Sequence, residues 1–479
     1  MKMRFCALVC CVLLLFLCHG LGEEAPEALF PALGENGKMG YINAQGVFVI
    51  LPQFDVAGDF RGSYAPVRMV REAMSPEEEQ QYGFAKSCEG IIDRTGRFVL
   101  PPEYDLDEGY DGYYYGGKDT GIVLVYRWKD TVYGEDEEGE ETVEPSQMGF
   151  FDIPTGCFSG LKWHAVWPWC SDSRLIAVID GEGLAGYASR DTGEMVIPCQ
   201  FHAVDPCSFS EGVAAVAYDD EDWNPKDYFL IDETGTEIPL PEGIHASYHS
   251  FASEGLIQIV NDENAYGYAD LRGRVVIPPQ FAYAQSFSGG KAWVEFQEGD
   301  WGLILRDGSV VSRGFSGEGF GGLNTENGVV IQQRDKNTFA ALTEKGEELF
   351  SLTLENLVNL HPPMENGLCW FDTDSSGHAN AWIDRKKGLV DLEGNIVSPA
   401  QWLTLEYDHP VFSQGLEPVL SRETGKWGYL NGRGEVALPV QYDKAYPFEN
   451  GLAWVCLGNR CGYIDLAGNE IYFWEAEAE

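Results

Sequence analysis

Along most of the chain, short runs of aliphatic and aromatic residues alternate with glycine-centred polar turns. Segments such as "RVVIP" (274–278) and "EVALP" (435–439) are built from β-branched and aliphatic residues. That composition fits a pleated strand, and the closing proline, lacking an N–H, is expected to end the pairing. "DLRG" (270–273) and "NGRG" (431–434) each place a glycine where a hairpin turn needs positive φ. "GVAAV" (212–216) and "GLAWV" (451–455) are apolar at every strand position, so these strands must be covered on both faces. Helical punctuation is scarce. "SPEEEQQY" from Ser75, with a cap, a proline and early acids, is the one clear helix start.

The runs recur in a fixed order. Gly40-Tyr41, Gly267-Tyr268 and Gly428-Tyr429 are each followed by a glycine six residues on, at Gly46, Gly273 and Gly434. Gln53-Phe54, Gln280-Phe281 and Gln441-Tyr442 come next, then Ala57, Ala284 and Ala445, then Phe60, Phe287 and Phe448. Weaker copies begin near Gly90, Met148, Gly186, Phe229, Trp301, Phe339, Lys387 and Cys461. The count is about eleven units at a spacing of roughly 35 to 50 residues, the range of known repeat modules. No single unit has enough surface to bury its own aromatics, so neighbouring units must stack.

The pattern resembles the bacterial WG-repeat family, a WG-containing β-repeat. It reads as W-G-Y, a turn glycine, an aliphatic-Pro pair, a Tyr or Phe, then F-x-x-G-L-A-x-V. Residues 428–455 fit best; Trp427-Gly428 and Trp301-Gly302 keep the name-giving pair, while Met39, Tyr266 and Cys461 replace the tryptophan elsewhere. The resemblance implies β-rich repeat arrays, commonly on exported or surface proteins, with no shared catalytic residues. The fold class expected is all-β: a tandem array of short antiparallel strands forming an elongated, curved β-solenoid-like superhelix. One or two β-propellers are the alternative, although eleven units exceed the usual four to eight blades.

Composition narrows the function classes. The chain has 479 residues and a formal net charge of −44, which disfavours nucleic acid and anionic lipid as partners. Residues 1–22 read as a secretory signal, with Lys2 and Arg4 before an apolar run and small residues near Gly20 and Gly22. The run is too short for a spanning helix, so the mature chain is not expected to span a membrane. The organisation anticipated is signal 1–22, linker 23–36, repeats 37–260 with an insertion at 104–145, repeats 261–472 and an acidic tail 473–479. Eight cysteines follow the signal, and Cys456 and Cys461 flank "LGNR" at the ends of a hairpin turn.

Catalytic signatures are scarce. His245 and His249 lack the glutamate of a zinc-protease helix, "GEGFGG" at Gly317 lacks the lysine of a phosphate loop, and no Gly-x-Ser-x-Gly occurs. The candidate ligand-binding residues are Trp163, Trp167 and Trp169 in "KWHAVWPWC", and Tyr113, Tyr114 and Tyr115. Their exposed rings would stack on sugars; their other reading is packing beneath an insertion. Asp372, Asp374 and Ser376 in "FDTDSSG" offer oxygens at alternate positions, as a calcium loop does, but Ile383 stands where the bidentate glutamate belongs. Calcium is the one cofactor suggested, against an exposed acidic hairpin. The expected function is that of a non-catalytic, secreted or cell-surface binding or scaffolding protein at the cell envelope. Its partner would be protein or cell-envelope polysaccharide. A glycan-binding module is the nearer alternative and a secreted hydrolase the distant one.

Overall fold

The structure, a computed structural model, describes residues 27–70, 87–107, 121–126, 131–135, 141–145, 147–167, 173–202, 208–218, 228–248, 250–315, 324–374, 385–404 and 412–475. Among these residues every regular element is a β-strand, and all strand pairings are antiparallel. The predicted helix at Ser75 lies outside the described residues.

Apart from an outlying two-stranded hairpin, the described strands form eleven small units of three or four strands in chain order. We number these units 1 to 11, at residues 30–54, 56–104, 105–158, 165–202, 213–238, 244–281, 283–315, 324–353, 357–402, 403–442 and 444–475. Two of them join at each of two places, where a last strand runs on to pair with the next unit, Leu403–Leu420 for instance. Unit 1 reaches into the anticipated linker, because Phe30–Leu33 pairs with Met39–Ile42. The last strand, Glu470–Glu475, likewise enters the anticipated tail, its aromatic residues giving it a face to bury. The 104–145 insertion holds the central strand of unit 3, Ile122–Tyr126, together with an outlying hairpin at 131–145.

Each core lies between two units. Ala453 and Val455 pack with Tyr429, Leu438 and Tyr442 of unit 10, while Leu452 and Trp454, on the opposite face of the same strand, pack with Phe30, Ala32 and Ile42 of unit 1. The two-sided apolar strands are therefore covered on both faces, as their sequence requires. The second of these contacts also closes the array. The Phe30 and Tyr463 rings lie 5.4 Å apart, as do Phe48 and Tyr472. The curvature anticipated for a stacked array thus carries it round to its own start. The result is a ring of eleven sheets with eleven intervening cores, the closed form held as the alternative.

The glycine of the Gly-Tyr pair has a steric reason. In unit 6 the pairing steps from Tyr266–Phe281 to Tyr268–Ile277, so the last strand bulges by two residues over Gly267. A methyl group there would lie 2.5 Å from the Ile277 carbonyl oxygen and 2.7 Å from the Pro279 nitrogen. The same step occurs over Gly40, Gly90, Gly186, Gly388 and Gly428. The proline does not end the strand as expected. It sits inside the bulge, where no ladder N–H is missed, and the strand continues to the Gln-aromatic pair. The tyrosine of the pair then reaches the next unit: Tyr41, Tyr268 and Tyr429 hydroxyls donate to the carbonyls of Gly58, Gln285 and Tyr446 at 2.8, 2.6 and 2.8 Å.

Candidate functional site

The sequence-predicted residues separate. Trp163 is buried among Ile122, Leu124, Phe150 and Val166, between units 3 and 4. Its indole N–H is sealed from solvent without an acceptor. Trp167 is half-buried on a short strand opposite Ala177 and packs against the next core. Trp169, Tyr113, Tyr114 and Tyr115 lie outside the described residues, so no aromatic platform is assembled from the described ones.

Asp372 is 2% exposed. Its carboxylate accepts from Lys387 Nζ at 3.2 Å and lies 3.2 Å from His361 Nε2. Burial works to raise its pKa, but the His361 and Lys387 contacts overcome that and hold it below the usual carboxylate range. Asp374 sits nearby with its N–H donating to the Asn356 carbonyl, and Ser376 lies outside the described residues. The Asp372 oxygens therefore face cationic and polar protein partners. Among the described residues no group of three His, Cys, Asp or Glu side chains is placed to hold a metal.

The register explains why Asp372 and Lys387 meet. They are cross-strand partners one step from Gly388, the position Cys456 and Cys461 occupy in unit 11 and Leu420 and Trp427 in unit 10. In unit 11 that pair is a disulfide, a pairing the sequence had left open. In unit 2 it is Arg68 and Glu89, a 2.7 Å ion pair. The free thiols Cys88, Cys157, Cys199 and Cys369 include two that burial pushes high, Cys199 to about 11 and Cys369 to about 12, neither poised for nucleophilic work.

A different surface is assembled by the fold itself. Several units make a tight turn between their first two strands, with a non-glycine residue at positive φ in Glu254, Gln414 and Asn450; Glu211 is another such residue, just before Val213–Val216. Short polar side chains before the tip tie each turn to the next. Ser210 Oγ donates to the Ala252 carbonyl and Ser253 Oγ to that of Phe287, both at 2.6 Å. The Glu211 carboxylate accepts the N–H groups of Glu254 and Gly255 at 2.9 and 2.7 Å. The Glu254 carboxylate accepts that of Gly290 at 2.9 Å, and Gln414 that of Gly451 at 2.9 Å. The turns of units 5, 6 and 7, and those of units 10 and 11, therefore lie side by side on one face of the ring.

Asp59, Glu211, Glu254, Glu365 and Glu449 stand at such turns, Glu254 half-buried and the others exposed, with Arg61 and Arg94 at the unit 2 turn and Arg306 against Gly255. Asp59 and Glu449 belong to turns that meet near the junction of units 11 and 1. Burial raises the pKa of both, Arg61 opposes the rise at Asp59, and the Asp59 charge adds to it at Glu449. Both residues are nevertheless exposed, so protein crowds them without excluding water. The sequence signal for this surface is its F-S-E-G and F-E-N-G tetrads at 209–212 and 448–451.

The fold and these turns define an all-β repeat protein whose units interlock through one recurrent turn. The WG containing repeat family is matched over residues 39–69, 90–106, 186–221, 266–311 and 427–461, and the chain is a WG-repeat protein. No curated protein matches it in sequence. Among solved structures, a eukaryotic initiation factor is similar at TM-score 0.38 and 8% identity, covering 77% of this chain and 95% of that one. BamB from Moraxella catarrhalis is similar at TM-score 0.31 and 12% identity, covering 64% and 94%. AztD of Citrobacter koseri is similar at TM-score 0.31 and 10% identity, covering 65% and 91%. These likenesses carry no functional argument.

Proposed function

We propose that this chain is a non-catalytic binding module, exported to the cell envelope, that holds a basic protein partner against the acidic face of its ring. The row of tied turns carries this reading. It sets Glu211 and Glu254 beside each other on a rigid frame, in a chain of net charge −44. Preorganised like charges favour a cationic surface through steering and complementarity. Asp59 and Glu449, crowded by protein and by each other, would gain most from a cation. The Cys456–Cys461 disulfide supports an oxidising, extracytoplasmic setting.

The test compares residues 23–479 with the variant E211Q/E254Q/E365Q, in which each glutamine keeps one acceptor oxygen, loses the charge and, at residue 211, gives up one of two N–H bonds. Both are immobilised and challenged with lysozyme-like basic and ovalbumin-like acidic globular proteins over a salt series. Salt-sensitive retention of the basic protein alone, weakened in the variant, supports the reading. Equal retention of acidic and basic proteins, or no effect of the variant, overturns it.

A further inference from the structure

Units 2, 7 and 11 share a detail that unit 1 lacks. In each, the first strand donates two N–H groups to two carbonyls of the second strand. These bonds are Gly58 to Pro66 and Asp55 to Arg68 in unit 2, and Gln285 to Trp293 and Ala282 to Glu295 in unit 7. In unit 11 they are Tyr446 to Trp454 and Asp443 to Cys456. The second strand of unit 1 is Phe30–Leu33, fixed in that place by Ala32 pairing with Gly40 as Val455 pairs with Gly462. The matching carbonyls are therefore those of Pro31 and Leu33. Among the described residues no strand pairs with that edge of unit 1.

Two tyrosines take the missing strand's place. Tyr463 Oη donates to Pro31 O at 3.0 Å and Tyr472 Oη to Leu33 O at 2.9 Å. In units 1, 6 and 10 the equivalent tyrosine stops one layer earlier, on the first strand of the following unit, as Tyr429 does on Tyr446. Among the described residues no such strand stands at the seam, and the hydroxyl reaches through to the second one. These side-chain bonds are exchangeable. An incoming strand supplies the two N–H groups and offers its own carbonyl to Tyr463, restoring the arrangement found at the other junctions.

We propose that the open edge of residues 30–33 receives an extended, lysine- or arginine-bearing segment of the basic partner, added as the missing first strand of unit 1. Backbone pairing supplies the affinity and alternate side chains the selectivity, as in other strand additions. The charge requirement comes from the surroundings. Glu449 and Asp59 act on Tyr463 from one side and Glu35 acts on Tyr472 from the other, with Arg61 the cation set against Asp59. The chain's own residues beyond Glu475 read Ala-Glu-Ala-Glu, the wrong charge for this setting. This inference rests on the basic-partner reading and locates one anchor of it.

The probe is a fluorescently labelled hexapeptide of alternating lysine and valine, titrated into residues 23–479 and followed by anisotropy, with a glutamate–valine hexapeptide as control. The lysine peptide binds, the control does not, and bound peptide slows hydrogen exchange of residues 30–33. D59N/E449Q weakens binding roughly tenfold, the sum of two exposed charge pairs. Y472F, which frees the Leu33 carbonyl and removes no bond to the incoming strand, strengthens it. Failure of the lysine peptide to bind, or protection of amides elsewhere, overturns the proposal. If removing residues 476–479 raises peptide affinity severalfold, the tail is the native occupant and the partner strand is overturned. Retention of a basic protein by the E211-bearing face while the peptide fails would sink this anchor alone and leave the wider reading standing.

Discussion

Replacing Gly267 with alanine tests the packing rule that spaces the whole ring. The added carbon would stand 2.5 Å from Ile277 O, where ordinary contact begins at 3.4 Å, so the bulged strand must retreat by about 0.9 Å. The obstruction is backbone, hence no rotamer relieves it. Gly267 is not at positive φ, so alanine accepts the local conformation and the cost is steric alone. Overpacking of this kind costs about 1–3 kcal/mol. Gly181 is the control: its φ is also ordinary and nothing lies within 4 Å of an added carbon. There alanine is neutral or gains up to about 1 kcal/mol by stiffening the unfolded chain. Hydrogen exchange across residues 266–281 reads the local opening free energy. At about 2 kcal/mol, G267A exchanges roughly 30-fold faster there, and G181A leaves that segment unchanged. Equal behaviour of the two variants, or protection kept in G267A, refutes the close-packed bulge.

Lys387→Met removes one member of a buried pair and strands the Asp372 charge, at a cost of about 3–5 kcal/mol in thermal or urea unfolding. The double change D372L/K387W copies the Leu420–Trp427 pair of unit 10 and should recover most of that loss. Reducing Cys456–Cys461 opens only a short loop and costs about 2 kcal/mol, which should appear as faster exchange confined to residues 452–465. The pH response has two parts of opposite sign. Hydrogen bonds from Thr234 and Asn469 lead in lowering the pKa of Asp232 and Asp465, so their stabilisation stands above the ordinary carboxylate pKa and is lost as pH falls through the folded value. Asp59 and Glu449 have raised pKa values, so their ionisation costs stability above those values. D59N/E449Q should raise the melting temperature at pH 7 and not below both pKa values.

Much of this architecture is written in short-range chemistry. The turn aspartates and asparagines, such as Asp270 and Asn431, accept N–H groups two and four residues on, and their glycines take the positive φ their spacing predicts. The number of units and the two-faced burial of the "GLAWV" strands follow from the same local pattern. Closure does not. It depends on a small rotation per unit summed over eleven interfaces, a quantity no single residue states. The Phe30–Leu33 strand was hidden because it lacks the preceding Phe-x-x-Gly turn that marks its counterparts. For the candidate site, tryptophan crowding at 163–169 carried no information about depth, since Trp163 serves a core as well as a binding face would be served. Asp372 resembled a metal ligand because alternation in a strand imitates the spacing of a calcium loop. Its actual partner, Lys387, is fixed by cross-strand register.

The sequence repeat and the folded unit are out of phase, since the stretch from Gly428 to Val455 holds the last two strands of one sheet and the first two of the next. Ten of the eleven interfaces are consequently spanned by covalent chain, each keeping its two halves at high effective concentration. The eleventh, between Glu470–Glu475 and Phe30–Leu33, has no such tether. Mechanical or thermal stress on the ring is thereby funnelled to one address, and a protein cut within any tight turn should keep its circular outline while acquiring a second such weak point.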